Sequence, residues 1–210
     1  MAVAGTLRVG LILLLAIGFL AGCPRDEDDA IMLHIYHRLN KEILAAVDGT
    51  EIPASYLAAL ISLESHPPGN RNSQRFESKI FQRLLELKKD GRSFGGIPRS
   101  RVSDLTDSQL RELATSYGLT QIMGYHCLDM GCSIQDLSGD YHLMWSVAYI
   151  RRHYLQKIKQ KDWQACFRIH NTGKPEGTTH RNDYAEKGVL RMQYYDEWQK
   201  KKGSIFAGIF

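Results

Sequence analysis

Alternation of apolar and polar residues is missing from this 210-residue chain beyond stretches of a few positions. That excludes sandwiches and barrels, whose half-buried strands carry a period of two. Internal repeats are missing too, which excludes a solenoid or propeller, and no low-complexity segment is present. Cysteine is scarce: Cys23, Cys127, Cys132 and Cys166 are the full set, and their spacing matches no familiar zinc-ligand pattern. No apolar run reaches the roughly 20 residues of a membrane-spanning helix. The formal net charge is only +4. That is too mild for a nucleic-acid-binding surface, though compatible with an anionic polymer. Hydrophobic residues make up 43% and charged residues 24%, ordinary values for one globular domain with a single core.

What is present begins with a leader. Arg8 is the only charge in the first 24 residues, and Val9 to Leu20 is an unbroken apolar or small run. Its length suits the core of a signal peptide. Leu20-Ala21-Gly22-Cys23 follows at once and resembles a bacterial lipobox. The alternative is an ordinary signal peptide that ends near a cysteine. The lipobox implies that residues 1–22 are removed as a lipoprotein signal peptide and that acyl chains on Cys23 tether the protein to a membrane of the cell envelope. Residues 23–30 carry Arg25, Asp26, Glu27, Asp28 and Asp29 and read as a short solvated tether. The folded domain is then 31–203, with 204–210 as a tail. In an oxidising compartment three cysteines remain, an odd number. Cys127 and Cys132 pair locally, or either reaches Cys166.

The rest reads as helices in one compact all-α domain. Ile35, Leu39, Ile43, Leu44 and Val47 form a helical stripe within 31–47, closed by Asp48-Gly49-Thr50. Pro53 suits a first turn, and Tyr56, Leu57, Leu60, Ile61 and Leu63 make the next helix almost wholly apolar. That helix runs into Glu64-Ser65-His66 and stops at Pro67-Pro68-Gly69-Asn70. Further helices are expected over 78–89, 107–116 after a Thr106 cap, 140–160 as the longest, 163–169 and 184–200. An irregular β-like stretch is expected between Asn70 and Arg75.

Glu64 stands out. A carboxyl group at the edge of an apolar core and at the negative end of a helix dipole holds its proton more readily. Glycosidic cleavage near neutral pH needs such a group. Ser116-Tyr117-Gly118-Leu119-Thr120-Gln121-Ile122-Met123 places a turn glycine and a polar side chain within an apolar run. Phe167-Arg168-Ile169-His170-Asn171-Thr172-Gly173 puts amide and hydroxyl groups at a helix end, suited to sugar hydroxyls and acetamides.

In this order, the three elements resemble the lysozyme-like superfamily of lytic transglycosylases and goose-type lysozymes. Over 60–195 the chain looks closer still to bacterial N-acetylmuramidases, through Phe76-Glu77-Ser78-Lys79-Ile80-Phe81, Gln121-Ile122-Met123-Gly124 and Asp162-Trp163. The resemblance implies a lysozyme-like fold with minimal β-structure and an enzyme that cleaves peptidoglycan glycan strands without a cofactor or metal. Glu64 would be the general acid and base. Ser116 and Gln121 would bind sugar or orient Glu64, and Asn171 would line the pocket. Thr120 departs from the family's usual Met, and His170 from its usual Tyr, whose role then falls to Tyr184 or to His170 itself. The segment between Glu64 and Ser116 is also longer than in typical transglycosylases.

Two mechanisms share this frame. A transglycosylase needs one carboxylate and closes a 1,6-anhydro ring. A hydrolase needs a second carboxylate to place water, for which Glu77 is the candidate and Asp129 a weaker one. Glu77 reads equally as a structural residue at a helix N-terminus. The same frame without activity would be a peptidoglycan-binding lipoprotein. Arg92, Arg99 and Arg101 are candidates for holding anionic stem peptides, or are solvated loop charges.

Overall fold

A computed structural model describes residues 23–207, with side chains through Lys201. The expected signal peptide, residues 1–22, and the last three residues of the expected tail lie outside the described residues. The chain is mainly helical, and one helix sits at its centre. This is α2 (Ala54–Glu64), in which Ser55 to Ser62 are all buried. A helix apolar on every side must be wrapped by others. It is wrapped by α1 (Glu27–Val47) and by the C-terminal α8 (Tyr184–Ala207). Between these in sequence come α3 (Ser78–Asp90), α4 (Asp107–Leu113), the short α5 (Cys127–Met130), α6 (His142–Lys159) and α7 (Trp163–Thr172).

Three short strands form one antiparallel sheet in the order β1 (Gln74–Phe76), β2 (Thr115–Tyr117) and β3 (Ile122–Met123). Arg75 pairs with Ser116, and Ser116 with Met123. The sheet marks the seam between two cores. The larger gathers α1, α2, α6, α7 and α8 around Tyr56, Phe167 and Tyr195. The smaller holds Leu84, Leu87, Phe94, Val102 and Leu110 from the long segment between Glu64 and Ser116. That segment carries its own core.

Four boundaries differ from expectation. The helix expected to reach Ser116 stops at Leu113, although Thr106 caps it through a full capping box with Gln109. Residues 115–117 are claimed by pairing on both edges. The longest helix is α8, not α6, and it runs through the first four residues of the expected tail. α7 continues past Ile169 to Thr172, where Gly173 in a left-handed conformation (φ 77°) ends it.

The fourth concerns residues 23–30, which are no solvated tether. Asp26 caps α1 by accepting from the Asp29 amide at 2.8 Å. Its other oxygen accepts from Tyr194 at 2.5 Å. Asp29 is 1% exposed and accepts from the Trp198 indole at 2.7 Å. Asp28 pairs with Arg191 at 2.7 Å, and Arg25 with Glu197 at 2.7 Å. The acidic run is a docking strip for α8, so the body begins within a few residues of Cys23.

Candidate active site

Glu64 is the last residue of α2, because Ser65 turns extended (φ −90°, ψ 139°). The Ser65 hydroxyl donates back to the Ile61 carbonyl at 2.7 Å and accepts from the Gly69 amide at 2.7 Å. That stitch fixes the end of α2 to the following loop. Tyr184, the first residue of α8, donates its hydroxyl to Glu64 Oε1. Tyr184 is 4% exposed, and burial together with the neighbouring Glu64 carboxylate pushes its phenol well up, so it stays a proton donor. Two turns further along α8, Arg191 donates to the Ser62 carbonyl at 2.8 Å and the Ser62 hydroxyl at 3.1 Å. It therefore pins α8 to the turn that carries Glu64.

The facing wall comes from the sheet. Ser116 donates to Gln121 Oε1 at 2.8 Å, and Gln121 Nε2 donates to the Ser73 and Gly118 carbonyls, each at 2.9 Å. Gln121 has a positive φ of 51°, so this network holds a strained backbone as well as an amide. Gly118 also has positive φ (73°), and a Cβ there would lie 2.4 Å from the Leu137 carbonyl. Between the walls lies a cavity of about 400 Å³ lined by Glu64, His66, Asn72, Ser73, Arg75 and Gln121, among others.

His170 does not reach Glu64. Its Nε2 bonds the Thr120 carbonyl at 2.8 Å and therefore carries the hydrogen, leaving Nδ1 to accept from Tyr154 at 2.9 Å. Tyr56 donates to Tyr154 at 3.2 Å. The Thr120 amide donates to His142 Nε2 at 3.0 Å, and the Thr120 and Ser146 hydroxyls are 2.7 Å apart. Burial pushes His142 down to about 4, so its ring is neutral and accepts. The two departures from the family pattern, Thr120 and His170, thus belong to one buried polar network behind the sheet turn. Tyr154 sits where α6 leaves helical geometry (φ −149°, ψ 27°), with its hydroxyl held by that network.

Asn171 is not brought to the site. It is exposed on α7 and lines neither described cavity. Because α7 runs on past Ile169, Asn171 is turned about 100° from His170 around the axis. Glu77 is not brought there either. It occupies the cap position of α3 and accepts from Arg75 Nε at 2.6 Å; Arg75 lines the cavity and Glu77 does not. Asp129 is exposed and lines neither described cavity.

Arg75 and the Asn70–Ser73 loop are the residues that sequence reasoning missed. The signal was there: Asn70-Arg71-Asn72-Ser73 is a polar run directly after the helix that ends in Glu64. Of the open cysteine pairings, Cys127 and Cys132 face each other with sulfurs 2.9 Å apart as free thiols. Cys166 is buried in α7, and burial pushes its thiol up to about 12. No cysteine lines the cavity. Among the described residues no group of three or more His, Cys, Asp or Glu side chains is arranged to hold a metal ion.

No family model matches the chain, and no curated protein matches it in sequence.

Proposed function

We propose that the chain is a peptidoglycan glycosidase with a lysozyme-like fold. It cleaves the β-1,4 bond between N-acetylmuramic acid and N-acetylglucosamine as a lytic transglycosylase. The observation that carries this reading is Glu64 in hydrogen-bond contact with the buried Tyr184, at the wall of a polar cavity. Glu64 gives its proton to the bridging oxygen as the C1–O bond breaks. The substrate's own acetamide oxygen stabilises the positive charge at C1. Glu64, now a base, takes the proton of the muramic C6 hydroxyl as that oxygen closes on C1. The product is a 1,6-anhydro end, and no water is consumed. Tyr184 supports the carboxylate form of Glu64 midway through this cycle. Asn72 and Arg75 offer amide and guanidinium groups to sugar hydroxyls and acetamides, while Gln121, its amide hydrogens already donated to Ser73 and Gly118, holds the wall.

Among the described residues that line the cavity, Glu64 is the one carboxylate. That favours the one-carboxylate route over hydrolysis. The hydrolytic reading keeps one support: the Arg75–Glu77 pair is exposed and weak, so substrate that captures Arg75 would release Glu77 beside the cavity. The test is mass spectrometry of products from purified sacculi. Anhydro ends, lighter by one water than reducing ends, are expected, and reducing muramic ends alone would overturn the transglycosylase assignment.

The resemblance of Leu20-Ala21-Gly22-Cys23 to a lipobox supports a tether through Cys23 in the cell envelope. Labelled palmitate should be incorporated by the wild-type chain and not by Cys23→Ala. Label persisting in that variant would exclude the anchor.

A further inference from the structure

A second cavity, of about 690 Å³, lies against the first. It is bounded by α1 on one side and the Pro67–Asn72 loop on the other, and Asn70 and Asn72 line both cavities. His34, Arg38 and Glu42 face it from α1 at successive four-residue steps, which places them on one face of the helix. Arg71 enters from the loop and pairs with Glu42. Both partners of that pair are substantially exposed, so it is readily exchanged for another anion. Arg38 and His34 are exposed and have no hydrogen-bond or ion-pair partner among the described residues. The mechanism at Glu64 uses none of these groups.

The arginines singled out from sequence for anionic peptides are committed elsewhere. Arg99 donates to the Lys88 and Lys89 carbonyls at 2.9 Å each, Arg101 donates to the Leu128 carbonyl, and Arg92 pairs with Glu86 and Asp90. They lie on the segment that carries the second core and line neither described cavity.

Resting on the glycosidase reading, we infer that the cavity between α1 and the Pro67–Asn72 loop is a subsite for the carboxylate-bearing peptide of a peptidoglycan strand. In a peptide-bearing strand the muramic lactyl carboxyl is tied up as an amide, so the charge that two guanidinium groups would recognise lies on the peptide. The muramic lactyl group carries the peptide away from the sugar ring, and the shared Asn70–Asn72 wall is its path from the cleavage cavity. Arg38 takes a peptide carboxylate, and Arg71 exchanges Glu42 for another. A planar guanidinium suits this task because it grips a carboxylate with two parallel hydrogen bonds.

The experiment compares intact sacculi with sacculi stripped of peptide by an amidase, the lactyl carboxylates so freed being capped as neutral methylamides. Wild-type enzyme should prefer peptide-bearing strands by roughly tenfold in kcat/KM, the size of one charge-assisted contact, with the difference in KM. In Arg38→Glu that preference should fall to near parity. Equal turnover of the two substrates by wild type, or an undiminished preference in Arg38→Glu, would overturn the subsite and leave the glycosidase standing. If neither substrate is cleaved, the glycosidase reading fails. Titration with the free peptide L-alanyl-γ-D-glutamyl-diaminopimelate then decides the subsite alone: binding lost in Arg38→Glu supports it, and no binding by wild type overturns it.

Discussion

On the glycosidase reading, Glu64→Gln should abolish detectable turnover of sacculi and leave the protein folded. Gln keeps the shape of the side chain, and its carbonyl oxygen still accepts from Tyr184, which donates to Glu64 Oε1 in the parent. What is lost is the transferable proton. General acid–base catalysis contributes about 10² to 10⁴-fold, and here the same group acts first as acid and then as base. Glu77→Gln is the companion. Glu77 lies outside the cleavage cavity, held by Arg75 at 2.6 Å, so this variant should keep its activity within a few-fold and still yield anhydro ends. Product mass spectrometry beside a thermal melt reads both variants. Near-normal turnover by Glu64→Gln, with an unchanged melt, would remove the assignment altogether. A dead Glu77→Gln, with reducing ends from wild type, would move the enzyme to the hydrolases.

Glu64 was legible because its helix is apolar on every side, and a polar residue ending such a helix has few places to go but the core's edge. The Thr106 cap was legible for a similar reason, since its signal is local, and the structure completes it as a capping box with Gln109. Ser116 was placed on the wrong element. The sequence leading to it is helical in pattern, and only pairing with Arg75 and Met123 from other parts of the chain makes 115–117 a strand. The extension of α7 was readable from Gly173, the natural stop signal, and with it the outward position of Asn171. Thr120 and His170 read separately as two departures from a pattern. Their common network with Tyr154 and His142 joins three parts of the chain and has no local signature. The same holds for the acidic start of the body: a charged run beside a leader looks solvated, because its partners Arg191, Tyr194 and Trp198 lie at the far end of the sequence.

That docking predicts the second large effect, on stability. Arg191 is 5% exposed and divides its guanidinium between Asp28 and the Ser62 carbonyl and hydroxyl. Arg191→Leu removes the charge and leaves the Ser62 carbonyl without this donor and Asp28 without its cation. Breaking a buried ion pair from one side costs roughly 3 kcal/mol or more. For a domain of this size that lowers Tm by about 10 °C. Arg151→Ala is the control: it pairs with Glu51, both side chains are exposed, and such pairs contribute less than about 1 kcal/mol. Turnover in Arg191→Leu should fall even below its melting range, because Arg191 and Tyr184 lie on one helix and Ser62 and Glu64 on another, and this contact helps set the two in register. Melts of the two variants side by side settle the point. If Arg191→Leu melts within a degree of wild type, residues 23–30 are not docked on α8 in solution, and the segment after Cys23 returns to being a free tether.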